Sequence, residues 1–401
     1  MSNKKNKPLM PKLRFPAFRN SPEWISEKVD RLVDTITPPK KLPTSSYAVN
    51  GDFPIIDQSQ NAICGWTDDR EALIKDDLPL IIFGDHTCIL KLLDRPFAQG
   101  ADGIKILKPR PRIGTSYLYQ YLSYRPVVTE EYKRHYSILK EKVVLFPDFK
   151  TGEQQKIADC LSSLDELIAA QAHKVDALKT HKKGLMQQLF PREGETQPRL
   201  RFLEFRDAGE WEDQSIGNIG KVVTGSTPST AQPAFYGGGI PFVSPADISD
   251  MRFVDQTKTT LTQEGYAQTR PIRAGSVLFV CIGSTIGKVA QNIHDCATNQ
   301  QINAIIPNSK HSEGFVYFAL SLASERIALL AGRQAVPIIN KSLFSSVRIL
   351  VPKLPEQHRI ASFLSSIETL LTDENQSLEL LKAHKKGLMQ QIFPSLESIS
   401  A

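Results

Sequence analysis

The sequence predicts an α+β chain: two mixed α/β domains joined by two long antiparallel helices that form an intramolecular coiled coil, with pseudo-twofold symmetry. Three observations predict it. A long segment returns at an offset of 203 residues, a short one returns at an offset of 187, and the long segment carries a heptad-like apolar seam. At a typical ~150 residues per domain, the 401-residue length allows two or three domains, each able to bury its own core.

The short repeat comes first. Pro11, Leu13, Arg14, Phe15, Phe18, Arg19, Glu23 and Trp24 reappear as Pro198, Leu200, Arg201, Phe202, Phe205, Arg206, Glu210 and Trp211. A variable region of about residues 25–150 follows each leader's first copy, and one of about 212–352 follows its second. In the first, Leu80-Ile81-Ile82-Phe83, Ile104-Lys105-Ile106-Leu107 and Val143-Val144-Leu145-Phe146 read as strands; in the second, Val277-Leu278-Phe279-Val280, Ala304-Ile305-Ile306 and Val347-Arg348-Ile349-Leu350-Val351 do. A helical stretch precedes the last strand of each, residues 117–122 and 314–331. The two inserts share little identity, so the frame does one job twice while the inserts do related jobs on different targets.

The long repeat closes each half. His181-Lys182-Lys183-Gly184-Leu185-Met186-Gln187-Gln188-Leu189-Phe190-Pro191 returns as His384 to Pro394 with Ile392 for Leu189, and Glu153-Gln154 matches Glu356-Gln357. Twenty of 39 aligned positions are identical without a gap, which chance does not supply. Leu164, Ile168, Gln171, Val175, Leu178, Lys182, Leu185 and Leu189 follow 4-3 spacing, as do Ile367, Leu371, Glu374, Leu378, Leu381, Lys385, Leu388 and Ile392. Each stretch, 153–190 and 356–393, is free of proline and spans roughly 55 Å as a helix. One such helix alone exposes its stripe; two in one chain bury it against each other. Gln171, Lys182, Glu374 and Lys385 make the seam polar in places, either to fix register or as solvated positions beside an irregular stripe. The expected division is 1–150 and 192–352 for the two domains, the latter including a linker at Pro191–Pro198, with helices in 151–191 and 353–401.

Composition excludes several classes. Hydrophobic residues at 41% and charged residues at 23% are those of an ordinary folded chain. The longest strongly apolar stretch read from the sequence, Leu78 to Phe83, is far short of the ~20 residues of a membrane span. The basic start, Met1 to Lys12, has no apolar signal core, and Cys64, Cys88, Cys160, Cys281 and Cys296 are odd in number and scattered. A soluble, cytoplasmic chain without disulfides or a structural zinc site is expected. The net charge of +6 is as much a solubility charge as a sign of a polyanionic partner.

Catalytic signatures are missing. Gly283-Ser284-Thr285-Ile286-Gly287-Lys288 resembles a phosphate loop but is one residue short and lacks the hydroxyl residue after Lys288. No GxGxxG opens a helix, no Asp/Asn-Pro-Pro-aromatic tetrapeptide of amino-methylating enzymes occurs, and Asp148 with Lys150 does not complete a nuclease pattern. Asp85-His86 lacks further ligands at metal-binding spacing. The inserts do hold amide-rich segments, Asp57-Gln58-Ser59-Gln60-Asn61 and Thr298-Asn299-Gln300-Gln301-Ile302-Asn303. Such segments are common in plain turns, but Asn and Gln pair bidentately with adenine edges, and their recurrence in two inserts on a rigid spacer favours DNA reading.

The Glu-Gln-x-x-Ile-Ala helix opening, the His-Lys-Lys-Gly-Leu-Met-Gln-Gln-x-Phe-Pro ending and the Leu-Arg-Phe-x-x-Phe…Glu-Trp leader resemble the specificity subunit of Type I restriction-modification enzymes. Further matches are Gly225-Ser226-Thr227-Pro228-Ser229, Ile240 to Ile248, Ile56 to Gln60, Ile81 to Thr87, and Gly100-Ala101-Asp102-Gly103. The resemblance spans essentially the whole chain. It implies two target-recognition domains, each reading half of a bipartite asymmetric site in double-stranded DNA, held apart by the helices as a ruler. It implies a non-catalytic chain that binds no cofactor itself. The partners would be two methylation subunits, using S-adenosylmethionine to make N6-methyladenine, and two restriction/motor subunits, with ATP and magnesium bound there and no membrane involved. The first insert has Thr37-Pro38-Pro39-Lys40-Lys41 where the second has its Gly-Ser-Thr-Pro loop, so base contacts do not transfer between inserts.

The candidate DNA-binding residues are Gln58, Ser59, Gln60, Gly84, Asp85, His86, Lys105 and His135 in the first insert. In the second they are Thr224, Ser226, Thr227, Ser244, Asp247, Ser284, Thr285, Lys288, Asn299, Gln300, Asn303 and Lys341. Asp85 and Asp247 would repel phosphate, and serve either as acceptors for cytosine N4 or as strand-end caps. Lys182, Lys183, Lys385 and Lys386 are candidates for a subunit interface or a solvated helix face. No metal ligands are assigned. Half-sites about one DNA turn apart lie ~34–36 Å centre to centre, within reach of helices of this length. Two rivals are a coiled-coil scaffold whose inserts bind proteins and a fragment of a self-sufficient methyltransferase-nuclease; co-purification with methylation subunits separates them.

Overall fold

The computed structural model describes residues 9–101, 103–128, 134–332 and 337–395. It contains two compact units: Met1–His173 with Gln376–Ala401, and Lys174–Asn375. Each unit holds one insert, one half of the long helix Glu153–Leu189 and one half of the long helix Leu354–Ile392. The division thus runs through both helices rather than through Pro191–Pro198, where Thr196 accepts a backbone hydrogen bond from Trp211 and the chain stays tied to its own unit. The second long helix starts two residues before Glu356, with Pro355 in the first turn, where a missing N–H costs no helical bond.

In the first unit, a four-stranded sheet orders Val33–Ile36, Ile104–Pro109, Leu80–Gly84 and Leu90–Leu93. A second sheet orders Gly65–Thr67, Phe53–Ile56, Phe97–Gln99 and Leu73–Ile74, with Ile55 and Ile56 running parallel to Ala98 and Gln99. The unbroken apolar run Leu80 to Phe83 follows from burial on both faces. Ile81 and Phe83 pack under helix Thr115–Tyr124 with Tyr117, Leu118 and Tyr121, while Leu80 and Ile82 pack against Ile56 and Phe97 of the second sheet.

The second unit repeats this plan with different residues. Its main sheet orders Gly220–Thr224, Ile302–Pro307, Val277–Val280, Val289–Asn292 and Phe253–Val254, and a smaller one orders Thr259–Leu261, Tyr236–Val243 and Ala297–Thr298. Again the strand that leads to the polar loop lies parallel to a later one, Phe242 beside Ala297 and Val243 beside Thr298. Val277 and Phe279 face helix Glu313–Ala328; Leu278 and Val280 face Val243, Ile248 and Ile272. That helix, continued to Ala331, is long and apolar enough by composition to cross a membrane, so Leu78–Phe83 is not the chain's most extended apolar segment. Its apolarity is that of a core helix, with Phe315, Val316, Phe318, Leu320 and Ile327 buried in the unit.

The repeated frame docks on each insert by the same contacts. Arg14 grips Glu153 through two hydrogen bonds of 2.8 and 2.6 Å, and Arg201 grips Glu356 through two of 2.8 and 2.7 Å. Both pairs are almost wholly buried, the carboxylates at 1% and 2% exposure. Gln154 accepts from the Gly114 N–H and donates to the carbonyls of Arg112 and Pro147; Gln357 accepts from the Ser312 N–H and donates to Lys310 and Pro352. The repeated Glu-Gln is therefore the joint between helix and insert. The leader also reaches the other helix's end: the Leu13 N–H donates to Gln391 O and the Leu200 N–H to Gln188 O, each satisfying a carbonyl of a last helical turn. Phe393 packs edge-on to Tyr117 and Tyr121, and Phe190 stacks on Phe315 beside Trp211.

All sixteen seam positions are buried or half-buried. Three of the four polar ones pair between helices within a unit: Lys182 with Glu368, Glu374 with Lys174, and Lys385 with Asp165. The antiparallel coiled coil expected from the 4-3 spacing is present in both units.

Candidate nucleic-acid interface

In the first insert the polar loop Asp57–Asn61 leaves Phe53–Ile56, and the turn Asp85–Thr87 joins Leu80–Gly84 to Leu90–Leu93. The structure brings these together. Gln58 Oε1 accepts from the His86 N–H at 3.3 Å, Gln58 O accepts from the Thr87 hydroxyl at 2.8 Å, and the Asp85 N–H donates to Gly103 O. Gly103, at φ +106°, leaves no room for a Cβ beside the Gln58 amide, and a Cβ on Gly84 would strike the Thr87 hydroxyl. Asp102 lies outside the described residues. Ser59 donates its N–H to the Asp57 carboxylate, closing an Asx turn. Gln60 is exposed; Gln58, Ser59, His86 and Lys105 are half-buried.

Two candidates face inward. Asp85 is 5% exposed and its carboxylate accepts from the Tyr136 N–H, while His135 is 1% exposed with Nδ1 3.1 Å from Asp85 O. Asp85 follows strand Leu80–Gly84 directly, and its carboxylate is tied to the start of helix Tyr136–Glu141. Lys105 extends over the Tyr136 ring at 5.5 Å.

The second insert assembles a cluster from other loops, those after Gly220–Thr224 and Ala297–Thr298. Ser226 and Gly225 donate their N–H groups to Thr298 O and Ile302 O, Thr227 donates its hydroxyl to Gln300 Oε1 at 2.7 Å, and the Asn299 N–H donates to Val243 O. Gly225 is required: a Cβ there would lie 2.1–2.3 Å from Asn299 O, Thr298 Oγ1 and Thr298 O. Asp247 accepts from both the N–H and the hydroxyl of Ser244 and from the Lys258 N–H, so it braces its loop as a cap. Asn303 is 3% exposed, its amide shared between Thr224 and Cys281, so it holds strand to strand from inside the sheet. Asn299 orders the next turn through Gln301.

Ser284 and Thr285 lie in a strand-to-strand loop, between Val277–Val280 and Val289–Asn292, rather than the strand-to-helix turn of a phosphate loop. Lys288 donates its ammonium to Ile248 O at 2.9 Å. Lys341 stands exposed at the first turn of Lys341–Ser346, tied to this loop by the Ile339 N–H on Cys281 O. Thr227, Ser284 and Gln300 are exposed. The hydroxyls of Ser226 and Thr298 are buried and make no hydrogen bond among the described residues. Thr298 was not among the sequence candidates; its place opposite the Gly225 turn arises only from the parallel strand pairing.

Burial pushes the Cys281 thiol up to about 12, so it is a core group rather than a nucleophile. Among the described residues no cluster of His, Cys, Asp and Glu is arranged to hold a metal. On the helices, Lys183 and Lys386 are exposed, while Lys182 and Lys385 are engaged in the ion pairs above.

Comparison with known proteins agrees with this architecture. The family model for the Type I restriction modification DNA specificity domain matches residues 208–383. The HindI specificity subunit of Haemophilus influenzae is 34% identical over 147 residues, 35% of this chain and 32% of that protein. The EcoR124I/EcoR124II specificity subunit of Escherichia coli is 28% identical over 343 residues, 81% of this chain and 82% of that protein. Among solved structures, the S subunit of a Type I restriction-modification system from M. genitalium has a TM-score of 0.63 at 16% identity, covering 96% of this chain and all of that one. A chain from a structure of type I R-M complex assembly and conformational transition has a TM-score of 0.54 at 16% identity, covering 93% and 98%. The fold is that of these S subunits, and the resemblance read from the repeated motifs holds.

Proposed function

We propose that this chain, a relative of the Type I restriction-modification specificity subunits, is the non-catalytic DNA-reading subunit of such a system. One observation carries the reading. Two inserts of little sequence identity share one sheet plan, each holds a cluster of polar loops, and each is docked to the frame by the same Arg-Glu and Gln joints. A frame preserved twice while its loops diverge fits a molecule that presents two different reading heads. Each insert would read one half of a bipartite asymmetric site, with Gln, Asn, Ser and Thr side chains supplying base-edge contacts.

The long helices would set the distance between the half-sites, and their exposed faces, including Lys183 and Lys386, would receive methylation subunits. Those partners would bind S-adenosylmethionine, and motor subunits ATP and magnesium; this chain supplies the address. The modest +6 charge fits a subunit that shares the phosphate contacts with a larger assembly.

The test is a deletion of four residues, about one helical turn, within 164–185. In cells carrying the chain with its methylation subunits, mapped adenine methylation should show the same two half-sites at an altered spacing. Altered half-sites at an unchanged spacing contradict the ruler role.

A further inference from the structure

We propose that Lys91 and Lys288 are positioning residues, Lys91 clasping both ends of a polar loop in the first insert and the exposed Lys288 tying one end of a loop in the second, and so setting the shape in which each loop meets DNA. The inference rests on the DNA-reading function proposed above.

Lys91, on strand Leu90–Leu93, donates its ammonium to Asp57 O at 2.9 Å and to Asn61 O at 2.6 Å, the two ends of the loop that carries Gln58, Ser59 and Gln60. Lys288, immediately before strand Val289–Asn292, donates to Ile248 O at 2.9 Å, the far end of the loop that begins at Ser244. The two lysines stand on corresponding strands, two residues apart in register: Lys91 lies opposite Ile82, and Lys288 O accepts from the Val280 N–H, as Ile89 O does from the Gly84 N–H. Leu90–Leu93 and Val289–Asn292 are each the hairpin partner of the doubly buried strand. The clasped loops each follow the strand that runs parallel to a later one. The local sequences, Leu90-Lys91-Leu92 and Gly287-Lys288-Val289, have only the lysine in common.

The chemistry suits the task. A lysine ammonium is a compact donor of three hydrogen bonds on a flexible stem. Its acceptors here are backbone carbonyls, present whatever side chains the loop carries. A loop held this way can change the residues that face DNA and keep its path. At Lys91 two of three donors are committed, and burial pulls the pKa below its usual value; both mark a group turned toward the protein rather than toward phosphate.

A phosphate-binding lysine and a loop clasp respond differently to substitution. Loss of a phosphate contact weakens binding to all sequences alike and lowers the salt slope by about one. Loss of a clasp loosens one half-site and leaves the slope unchanged. The experiment selects bound sequences from randomised duplex DNA and titrates salt, using the full chain assembled with its methylation subunits, as wild type, Lys91→Met, Lys288→Met and the matching Arg variants.

The expected result is about a tenfold loss of base discrimination at one half-site for Lys91→Met and at the other for Lys288→Met, on the scale of one good base contact, with wild-type salt slopes and with discrimination restored in the Arg variants. The untouched half-site reports folding within the same molecule. A uniform loss with a reduced slope, retention of both half-sites, or loss of both half-sites from one substitution overturns the clasp. A wild-type assembly that selects no two-part sequence overturns the DNA-reading function, and the clasp with it.

Discussion

Lys182 of the first long helix forms a 2.6 Å ion pair with Glu368 of the second, and the 203-residue repeat maps this pair onto Lys385 and Asp165, themselves paired at 2.5 Å. The same polar seam position is thus used once in each unit to register two antiparallel helices. In the second unit Glu368 also accepts from Arg252, whose guanidinium lies over the Tyr317 and Phe318 rings. Glu368→Ala leaves Lys182 without its carboxylate partner and takes one of three side-chain acceptors from Arg252, which keeps Gln291 and Ser365, and should cost about 1–3 kcal/mol, the range for a charged group left unsatisfied in a partly buried site. Lys182→Met puts an apolar stem in an apolar seam and leaves Glu368 its Arg252 contact, so its cost should be smaller. Thermal unfolding of the full chain ranks the two; equal losses would mean that the pair, not the network, matters.

Arg14 and Arg201 each neutralise a carboxylate buried at a helix start. Removing one partner of such a pair leaves an uncompensated buried charge, at about 3–5 kcal/mol, whereas replacing both with apolar residues can be near neutral. Arg201→Met should therefore destabilise far more than Arg201→Met with Glu356→Leu. Urea unfolding of single and double variants measures this, and a double variant worse than the single would refute it.

Gly225→Ala meets backbone oxygen atoms within 2.3 Å, so the turn carrying Ser226 and Thr227 must move. The strain is about 1–3 kcal/mol, and the functional outcome is loss of discrimination at the second insert's half-site alone. Methylation mapping of the variant checks it; two intact half-sites would show that this turn does not read DNA.

Burial raises the Cys281 and Cys296 thiols to about 12, against an ordinary 9.0. The folded state favours the neutral thiol, so this contribution to stability is fully present below pH 9 and is lost as pH climbs toward 12. Iodoacetamide at pH 8 should leave both cysteines unmodified in the native chain and modify them after denaturation, as read by mass spectrometry. Rapid native labelling would show these strands to be open.

The frame was legible because its signals are local or repeated. The 4-3 spacing marked the helices, and Leu80–Phe83 and Val277–Val280 announced strands, which the structure buries on both faces. The repeats also singled out Arg14, Glu153 and their copies, but 139 residues separate the partners, and nothing in the spacing pairs them. The common sheet plan of the inserts was hidden for the same reason: the parallel pairs Ile55 with Ala98 and Phe242 with Ala297 are long-range contacts between dissimilar sequences.

Of the candidate site, the sequence marked segments rather than side chains. The amide-rich stretches do gather, yet polarity alone did not separate exposed Gln60 and Gln300 from Asp85, His135 and Asn303, which are buried and spent on the fold. Asn303 faces inward because register sets it opposite Thr224. Lys91 escaped notice because an alternating strand usually turns its lysine to solvent, whereas this one points back over a loop thirty residues upstream.

The central claim, that this chain addresses methylation through two independent reading heads, is tested most directly by mapping methylated adenines in cells that carry the chain with its methylation subunits, before and after deletion of its gene. The account predicts one asymmetric two-part motif with an unspecified spacer of fixed length, lost on deletion. An uninterrupted motif, or methylation that persists unchanged without the chain, would contradict it.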